Sequence, residues 1–314
     1  MLYIKKRLSC IIMAAVTICV FLILNSFGSG LKGAESDKPT VVSTTTMLYD
    51  LTRQIGGEKI NALGLMGSGV DPHQYRASAG DIIKMQEADM VVYSGLHLEG
   101  KMGDVFAELA GRGKKSVCAS ENIPEDRLII NDGIPDPHIW FDVSLWEEAA
   151  KTVGKALSEL DPENSGYYKD RLDKYISELN GLDDYIRERA SEVPEEKRVL
   201  ITAHDAFGYF GRAYSFDVMG LQGISTVSEA SASDVSRLAE LIAEREIKAV
   251  FVESSLPVKN IESLMEAVKS RGFETSLGGY LYSDSIGDET EGTDTYLTAF
   301  KHNIDTIVNE LTKG

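Results

Sequence analysis

The amino-acid sequence predicts an α/β protein made of two lobes joined by one long helix. Short apolar runs rich in β-branched residues alternate with amphipathic or turn-rich stretches along most of the 314-residue chain. This alternation is typical of a parallel sheet with helices on both faces. A long polar stretch with helical spacing separates the two regions that show it. We therefore expect two Rossmann-like lobes, each a mostly parallel sheet flanked by helices, with one rigid helix between them.

The strands of each lobe are predicted from the apolar runs. In a first lobe at residues 35–160, and in a second at 195–314, each run is bounded by amphipathic or turn-rich sequence, as strands of a parallel sheet usually are. The runs lie at residues 41–44, 60–66 and 90–93 in the first lobe and at 198–202, 218–221 and 249–252 in the second.

The linking helix is predicted at residues 161–194. Asp161-Pro162 is a favourable start, because aspartate caps a helix and proline fits its first position. Apolar residues then follow at spacings of three and four, which gives one apolar stripe on a charged helix. Gly181 weakens the prediction slightly, since glycine costs about 1 kcal/mol inside a helix. The stripe consists of Tyr168, Leu172, Tyr175, Leu179, Leu182 and Ile186.

The N-terminus has the pattern of an export signal. Basic residues at 5–7 precede an apolar run at 10–24, and small or turn-forming residues follow at 28–33. The run is long for a cleaved signal, so residues 1–34 are expected to be a signal peptide or an N-terminal anchor. The mature protein should therefore lie in the periplasm or at the outer face of the cytoplasmic membrane.

The three cysteines bear on the anchor and on the redox chemistry. Cys10 stands at the start of the apolar run and Cys19 lies inside it, so neither stands at its end, where a lipid-modified cysteine is expected. If both leave with a signal peptide, Cys118 is the only thiol left and cannot form an internal disulfide. Packing must then stabilise the fold, and we expect Cys118 to be buried.

The charge balance excludes one class of partner. The chain carries a net charge of -17 and has a pI of about 4.8. It shows no basic stripe with interleaved aromatic residues, which is the electrostatic pattern of nucleic-acid binding. We therefore expect no nucleic-acid partner, and we expect the protein to be a monomer.

Three of the five histidines share one sequence context, a loop beside a proline or directly after an apolar strand. They occur in Asp71-Pro72-His73, Asp136-Pro137-His138 and Thr202-Ala203-His204. Loops at the carboxyl ends of parallel strands are where α/β sheets bind ligands. Proline stiffens the two Asp-Pro-His loops, so each ring is held in one direction. Asp-Pro is also common in turns, so simple turns are the less favoured alternative for these two tripeptides.

A fourth metal donor is expected at Asp284, which follows a short apolar run and precedes an acidic loop containing glycine. Three imidazole nitrogens and a carboxylate suit zinc, manganese or iron, whereas calcium and magnesium favour oxygen ligands. Taken alone, Asp284 is more typical of a helix cap or a solvated loop. We interpret His97 and His302 as surface histidines, because neither has this sequence context.

These residues and their neighbours resemble the metal-binding subunits of bacterial ATP-driven manganese and zinc importers, the cluster A-I or TroA-like solute-binding proteins. The resemblance implies that His73 and His138 come from the first lobe, that His204 and Asp284 come from the second, and that one ion lies between them. It also implies delivery of the ion to the permease of an ABC-type importer, without enzymatic activity. It covers nearly all of the chain after the export signal and rests on residues 69–75, 135–142, 202–210, 220–225, 250–255 and 282–284.

The resemblance leaves the metal open between zinc and manganese. Glutamate at the third ligand position is typical of many manganese binders of this family, so His204 favours zinc. Many zinc-dedicated relatives carry a long histidine-rich loop in the first lobe, and the lack of one here favours manganese or mixed use. Glu253 is expected to contact a ligand histidine, because metal-bound histidines usually donate their second ring proton to a carboxylate. Asp205 and Asp142 are alternatives, and helix capping explains each of the three equally well.

Two other functions compete with metal capture. A zinc hydrolase would need an open coordination position and a general base, and the sequence contains no His-Glu-x-x-His motif. A surface adhesin would explain export but not four convergent ligands. We therefore expect capture and delivery of one divalent transition metal ion per chain, with only a small movement of the lobes, because a stiff helix limits hinge bending.

Overall fold

The computed structural model describes residues 38–313. The predicted signal peptide or anchor at residues 1–34, with Cys10 and Cys19, lies outside the described residues. Within residues 38–313, no helix combines the length and the apolar character that crossing a membrane requires.

The first lobe is built on a four-stranded parallel sheet. Its strands are β1 (Thr40–Ser43), β2 (Asn61–Gly64), β3 (Met90–Tyr93) and β4 (Ser116–Cys118), in the order β2-β1-β3-β4. The central strands β1 and β3 are almost entirely buried, which explains why their sequences do not alternate between apolar and polar residues. The three predicted strands are confirmed, whereas β4 was not predicted. The helices of this lobe are α1 (Thr46–Gly56), α2 (Ala79–Glu87), α3 (Gly103–Gly111) and α4 (Val143–Leu160).

A short antiparallel hairpin leads into the second Asp-Pro-His loop. Its strands are β5 (Ile130–Asn131) and β6 (Ile134–Pro135). The two connecting residues, Asp132 and Gly133, have φ of 50° and 82°, as a two-residue hairpin turn of type I′ requires. The hairpin ends directly before Asp136, so it fixes the entry of the chain into the loop that carries His138.

The second lobe contains two parallel strand pairs. Strand β7 (Val199–His204) pairs with β8 (Asp217–Gln222), and β9 (Ala249–Glu253) pairs with β10 (Ser276–Leu281). Strand β9 also lies beside β7. The three strands predicted for this lobe are confirmed. Its helices are α6 (Gly208–Tyr214), α7 (Ala232–Glu244), α8 (Lys259–Lys269) and α9 (Tyr296–Leu311).

Strand β10 was not predicted, because its sequence contains Gly278-Gly279, which usually marks a turn. The pairing of β10 with β9 shifts register between Leu277 and Gly279. A Cβ atom on Gly278 would lie 2.7 Å from the ring of Phe251. Glycine is therefore needed here for a close approach to the neighbouring strand, and the strand continues to the loop of Asp284.

The linking helix α5 spans Ser165–Ser191, after a 3₁₀ turn at Pro162–Asn164. It contacts α1 and α4 of the first lobe and α9 of the second. All residues of the predicted apolar stripe are buried except Leu172, which is partly buried against the core. The largest cluster of buried apolar side chains accordingly includes residues of both lobes and of the helix. The boundaries 35–160, 161–194 and 195–314 stay predictions.

Cys118 is half-buried, so the expectation that it is buried is wrong. It ends β4, which lies at the edge of the sheet formed by the described residues and pairs there with β3. Its Sγ lies 3.7 Å from the backbone oxygen of Ser94 and 3.4 Å from Oγ of Ser120. Burial raises the pKa of the Cys118 thiol, so the thiol form is favoured at neutral pH.

Candidate metal centre

Each predicted ligand lies at, or in a loop beyond, the end of a different element. His73 lies in the loop that follows β2, and His138 precedes a 3₁₀ turn at Ile139–Phe141. His204 is the last residue of β7, and Asp284 follows β10. The fold thus directs three strand ends and the end of the β5-β6 hairpin to one place, although the four residues are far apart in sequence.

The four side chains form one buried cluster. Each offers one ligand atom, and all these atoms lie within 4.8 Å of one another. The Nε2 atom of His73 lies 3.3 Å from Nε2 of His138. Asp284 faces all three rings, with one carboxylate oxygen or the other 3.4 Å from Nε2 of His73, 3.4 Å from Nε2 of His138 and 3.3 Å from Nε2 of His204. His73, at 3% exposure, is the most accessible of the four.

The electrostatics of the cluster suit a cation. Among the described residues, neither carboxylate oxygen of Asp284 nor Nε2 of His204 meets a partner in good hydrogen-bond geometry. Burial raises the pKa of Asp284, but His204, His73 and His138 more than offset this effect and hold the pKa well below its usual range. Unpaired buried polar atoms are costly, and a metal ion would satisfy them together.

Two of the histidines have a carboxylate beside Nδ1, the ring nitrogen that points away from the cluster. Nδ1 of His138 lies 2.7 Å from Oδ1 of Asp136, and Nδ1 of His204 lies 2.6 Å from Oε2 of Glu253. Such a carboxylate favours a proton on Nδ1 and leaves the Nε2 lone pair free to bind a metal. Burial lowers the pKa of His204, but the charges of Glu253 and Asp284 more than compensate and raise it well above its usual value.

The structure places Glu253 where the sequence led us to expect it, against a candidate ligand histidine. Asp136 was not predicted in this role, although its position two residues before His138 was a usable signal. Asp142 instead caps α4, accepting from the backbone N–H of Ser144 at 3.0 Å. Asp205 makes no hydrogen bond to a ring nitrogen of the candidate histidines within residues 38–313; burial raises its pKa, and the nearby Asp136 carboxylate adds to the effect.

Trp140 joins the loops of His138 and Asp284. Its indole Nε1 donates to the backbone oxygen of Ser283 at 3.0 Å, and its ring centroid lies 5.3 Å from that of His138. The Trp140 side chain is almost completely buried. It therefore fixes the relative position of two candidate ligands that come from different lobes.

The remaining histidines lie outside the cluster. His97 is exposed and has a positive φ of 66° in the turn after β3. His302 lies on α9, where its Nε2 is 3.1 Å from the backbone oxygen of Tyr280. Both positions agree with their interpretation as surface histidines.

Comparisons with known sequences agree on one family. The family model of ZnuA, described as the periplasmic component A of a zinc-uptake complex, matches residues 41–310. The chain is 46% identical over 312 residues to the zinc-binding protein TroA of Treponema pallidum, covering 99% of this chain and 100% of the relative. It is 42% identical over 303 residues to the manganese-binding lipoprotein MntA of Bacillus subtilis, covering 96% and 98% of the two chains.

Comparison with solved structures confirms the predicted fold class. The structure of the periplasmic zinc-binding protein TroA from Treponema pallidum matches with a TM-score of 0.86 at 47% identity. The match covers 88% of this chain and all of the other. Because the family model, the relatives and the solved structure all match along most of its length, the chain belongs to the ZnuA family of metal-binding importer components.

Proposed function

We propose that this protein captures one zinc or manganese ion outside the cytoplasm and delivers it to the permease of an ABC-type importer. In this proposal His73, His138, His204 and Asp284 bind the ion. The observation that supports it most strongly is the convergence of their ligand atoms within 4.8 Å of one another, because they come from four separate segments of the chain and are all buried. The family is that of a transporter component and not of an enzyme.

The donor set supports a transition metal. Three imidazole nitrogens and one carboxylate match the ligands of tetrahedral zinc and are also acceptable to manganese or iron. The relatives include one named for zinc and one named for manganese. At nitrogen-containing sites zinc normally binds more tightly than manganese, so the transported metal depends on availability as well as on affinity.

The closed shape of the site supports carriage. Four protein donors fill the tetrahedral positions of zinc, whereas a catalytic zinc site leaves one position for water. This favours a transport function over a zinc hydrolase. The relatives are named for metal binding and for metal ABC transport, which favours the same function over a surface adhesin.

The location and partner follow from the family and from the predicted export signal. The family description and several relatives' names specify a periplasmic protein or a lipoprotein, and both classes act outside the cytoplasm. We propose that the protein acts as a monomer in the periplasm or at the outer face of the cytoplasmic membrane. Its partner would be the permease that receives the ion.

The test is a metal titration of the purified, metal-stripped protein. Wild type, His138→Ala and the control His302→Ala are titrated with zinc and with manganese, and the bound metal is measured by elemental analysis. We expect one tightly bound ion per chain in wild type and in the control, and its loss in His138→Ala. Wild type without stoichiometric metal, or undiminished binding by His138→Ala, would contradict the four-residue site.

A further inference from the structure

The two Asp-Pro-His loops are held in different ways. In each, the aspartate Oδ1 accepts from the backbone N–H of the histidine at 2.9 Å. Asp136 also contacts the ring of its own histidine, His138. Asp71 instead uses its second oxygen to bind the second lobe, where Oγ1 of Thr226 donates to Oδ2 of Asp71 at 2.5 Å. Identical tripeptides are therefore stabilised from their own lobe in one case and from the opposite lobe in the other.

Thr226 contacts the His73 loop twice. Besides its hydroxyl bond to Asp71, its backbone oxygen accepts from Nε2 of Gln74 at 3.2 Å. The same Gln74 amide also donates to Asp71 at 3.2 Å, which closes a ring of three residues. Thr226 is only 2% exposed, whereas its neighbours Ser225 and Val227 are exposed. Thr226 is therefore buried where it contacts the first lobe, whereas the residues on either side of it are not.

The loop that carries Thr226 is connected to a second candidate ligand. Gln222, at the end of β8, is the register partner of His204 on β7. Its side-chain Nε2 donates to the backbone oxygen of Ser228 at 3.2 Å. The position of Thr226 therefore depends on the strand pair that ends at His204.

The His73 loop is held by the second lobe at its other end too. The backbone N–H of Gly69 donates to Oγ of Ser285 at 2.9 Å, and Ser285 directly follows Asp284. Within residues 38–313, no carboxylate contacts Nδ1 of His73 in the way that Asp136 and Glu253 contact His138 and His204. The loop also has polar contacts within the first lobe, such as that of Tyr75 with Asp81, but the supports from Thr226 and Ser285 both come from the opposite lobe.

We propose that Thr226 is a positioning residue for His73. It aligns His73 across the cleft through Asp71, so that binding of the ion by His73 depends on closure of the two lobes. His138 and His204 keep their carboxylate partners when the lobes separate, because Asp136 and Glu253 belong to the same lobes as these histidines. His73 keeps the bond between its backbone N–H and Asp71, but its loop loses the contacts of Thr226 and Ser285. This inference rests on the proposed function and identifies the ligand that is released first.

The test is the rate at which bound zinc dissociates into an excess of chelator, measured by stopped flow. Thr226→Val removes the hydroxyl and keeps the shape of the side chain. We expect dissociation to become about tenfold faster, as the loss of one hydrogen bond to a charged group predicts. Thr226→Ser should restore the wild-type rate. Gln74→Leu, at an exposed position, should accelerate dissociation in the same direction and serves as the second variant if Thr226→Val does not fold.

A matched control is available at Thr290, whose hydroxyl also donates to an aspartate, Oδ1 of Asp288, at 2.5 Å on an exposed loop. Thr290→Val should leave the dissociation rate unchanged. Equal acceleration by Thr290→Val and Thr226→Val would overturn the proposal, because the effect would then not depend on the His73 loop.

A double variant separates positioning of His73 from general closure of the lobes. If Thr226 acts through His73, adding Thr226→Val to His73→Ala should not accelerate zinc dissociation further. Independent, multiplying effects would overturn the positioning role. Stoichiometric binding by wild type, with an unchanged rate in Thr226→Val and Gln74→Leu, would refute this inference alone. Absence of stoichiometric binding by wild type would refute the proposed function itself.

Discussion

Glu253 holds His204 with both carboxylate oxygens: Oε1 accepts from the backbone N–H of His204 at 2.9 Å, and Oε2 lies 2.6 Å from its ring Nδ1. Both residues are buried, so this contact is shielded from water and salt. The backbone bond fixes the end of β7, and the ring contact favours the tautomer whose Nε2 can bind a metal. One side chain thus stabilises both the strand end and the ligand on it.

Glu253→Gln should weaken metal binding without removing a candidate ligand. The amide has the size of the carboxylate but not its charge, so the imidazole of His204 becomes a weaker donor to the ion. We expect about a tenfold to hundredfold loss of zinc affinity, measured by competition with a chelator of known affinity. Glu262→Gln, at an exposed position on α8, is the matched control. Equal affinities of wild type and Glu253→Gln would show that the carboxylate does not tune His204.

The intrinsic fluorescence of Trp140 should report metal binding. The chain has two tryptophans, Trp140 and Trp146, and the ring of Trp140 lies 5.3 Å from that of His138. A cation bound at Nε2 of His138 would change the electric field at this indole. We expect zinc to change the emission of wild type and of Trp146→Phe, whereas Trp140→Phe should show little response. A full fluorescence response in Trp140→Phe would show that Trp140 is not the residue that reports metal binding.

The candidate ligands follow local sequence patterns, whereas their supports do not. His73, His138 and His204 stand beside strands or prolines, and this context predicted them as ligands whose side chains the structure brings together. Thr226 and Asp71 meet across 155 residues of sequence. No local pattern of either segment indicates that contact, because it depends on how the two lobes face each other.

The strands also differ in whether their own sequence or a distant contact explains them. The runs that became β1, β3, β7 and β9 show no alternation of apolar and polar residues, because both faces of these strands are covered. Strand β10 was missed because the reason for its glycines is the ring of Phe251 on the neighbouring strand. The sequence of β10 alone does not show that Phe251 of β9 requires a glycine at position 278.

Metal removal should lower thermal stability, and ligand variants should lose this dependence. An ion that binds only the folded state stabilises it by about 4 kcal/mol at a free concentration of a thousand times Kd. We expect zinc to raise the Tm of stripped wild type and of His302→Ala, and to have a much smaller effect on His204→Ala. The measurement is a thermal melt with and without zinc, after chelator treatment. An equal rise in His204→Ala and His302→Ala would contradict the role of His204.

Asp50 should make the metal-free protein less stable as the pH rises. It lies on α1, is 1% exposed and accepts hydrogen bonds from the backbone N–H of Tyr296 at 2.8 Å and from Nε2 of Gln54 at 3.0 Å. Burial raises its pKa from 3.8 to about 6, although these bonds act in the opposite direction. The folded state therefore favours the neutral acid, whereas the unfolded chain ionises near 3.8. Below that pH the group carries no penalty, and above about 6 the full penalty applies.

Asp50→Asn tests the direction of this pH dependence, because asparagine keeps an acceptor for the backbone N–H of Tyr296 and carries no charge. The rise in the pKa of Asp50 from 3.8 to about 6 corresponds to about 3 kcal/mol, so the variant should have a higher free energy of unfolding than wild type at pH 7.5. The difference should shrink by about 2 kcal/mol at pH 4.5, where wild-type Asp50 is mostly protonated in the folded state. Urea unfolding with chelator present measures both values, with the exposed Asp173→Asn on α5 as control. A stabilisation that does not vary with pH would mean that folding does not raise the pKa of Asp50. A loss of stability at pH 7.5 would mean that Asp50 is charged in the folded protein and stabilises the first turn of α9 as a carboxylate.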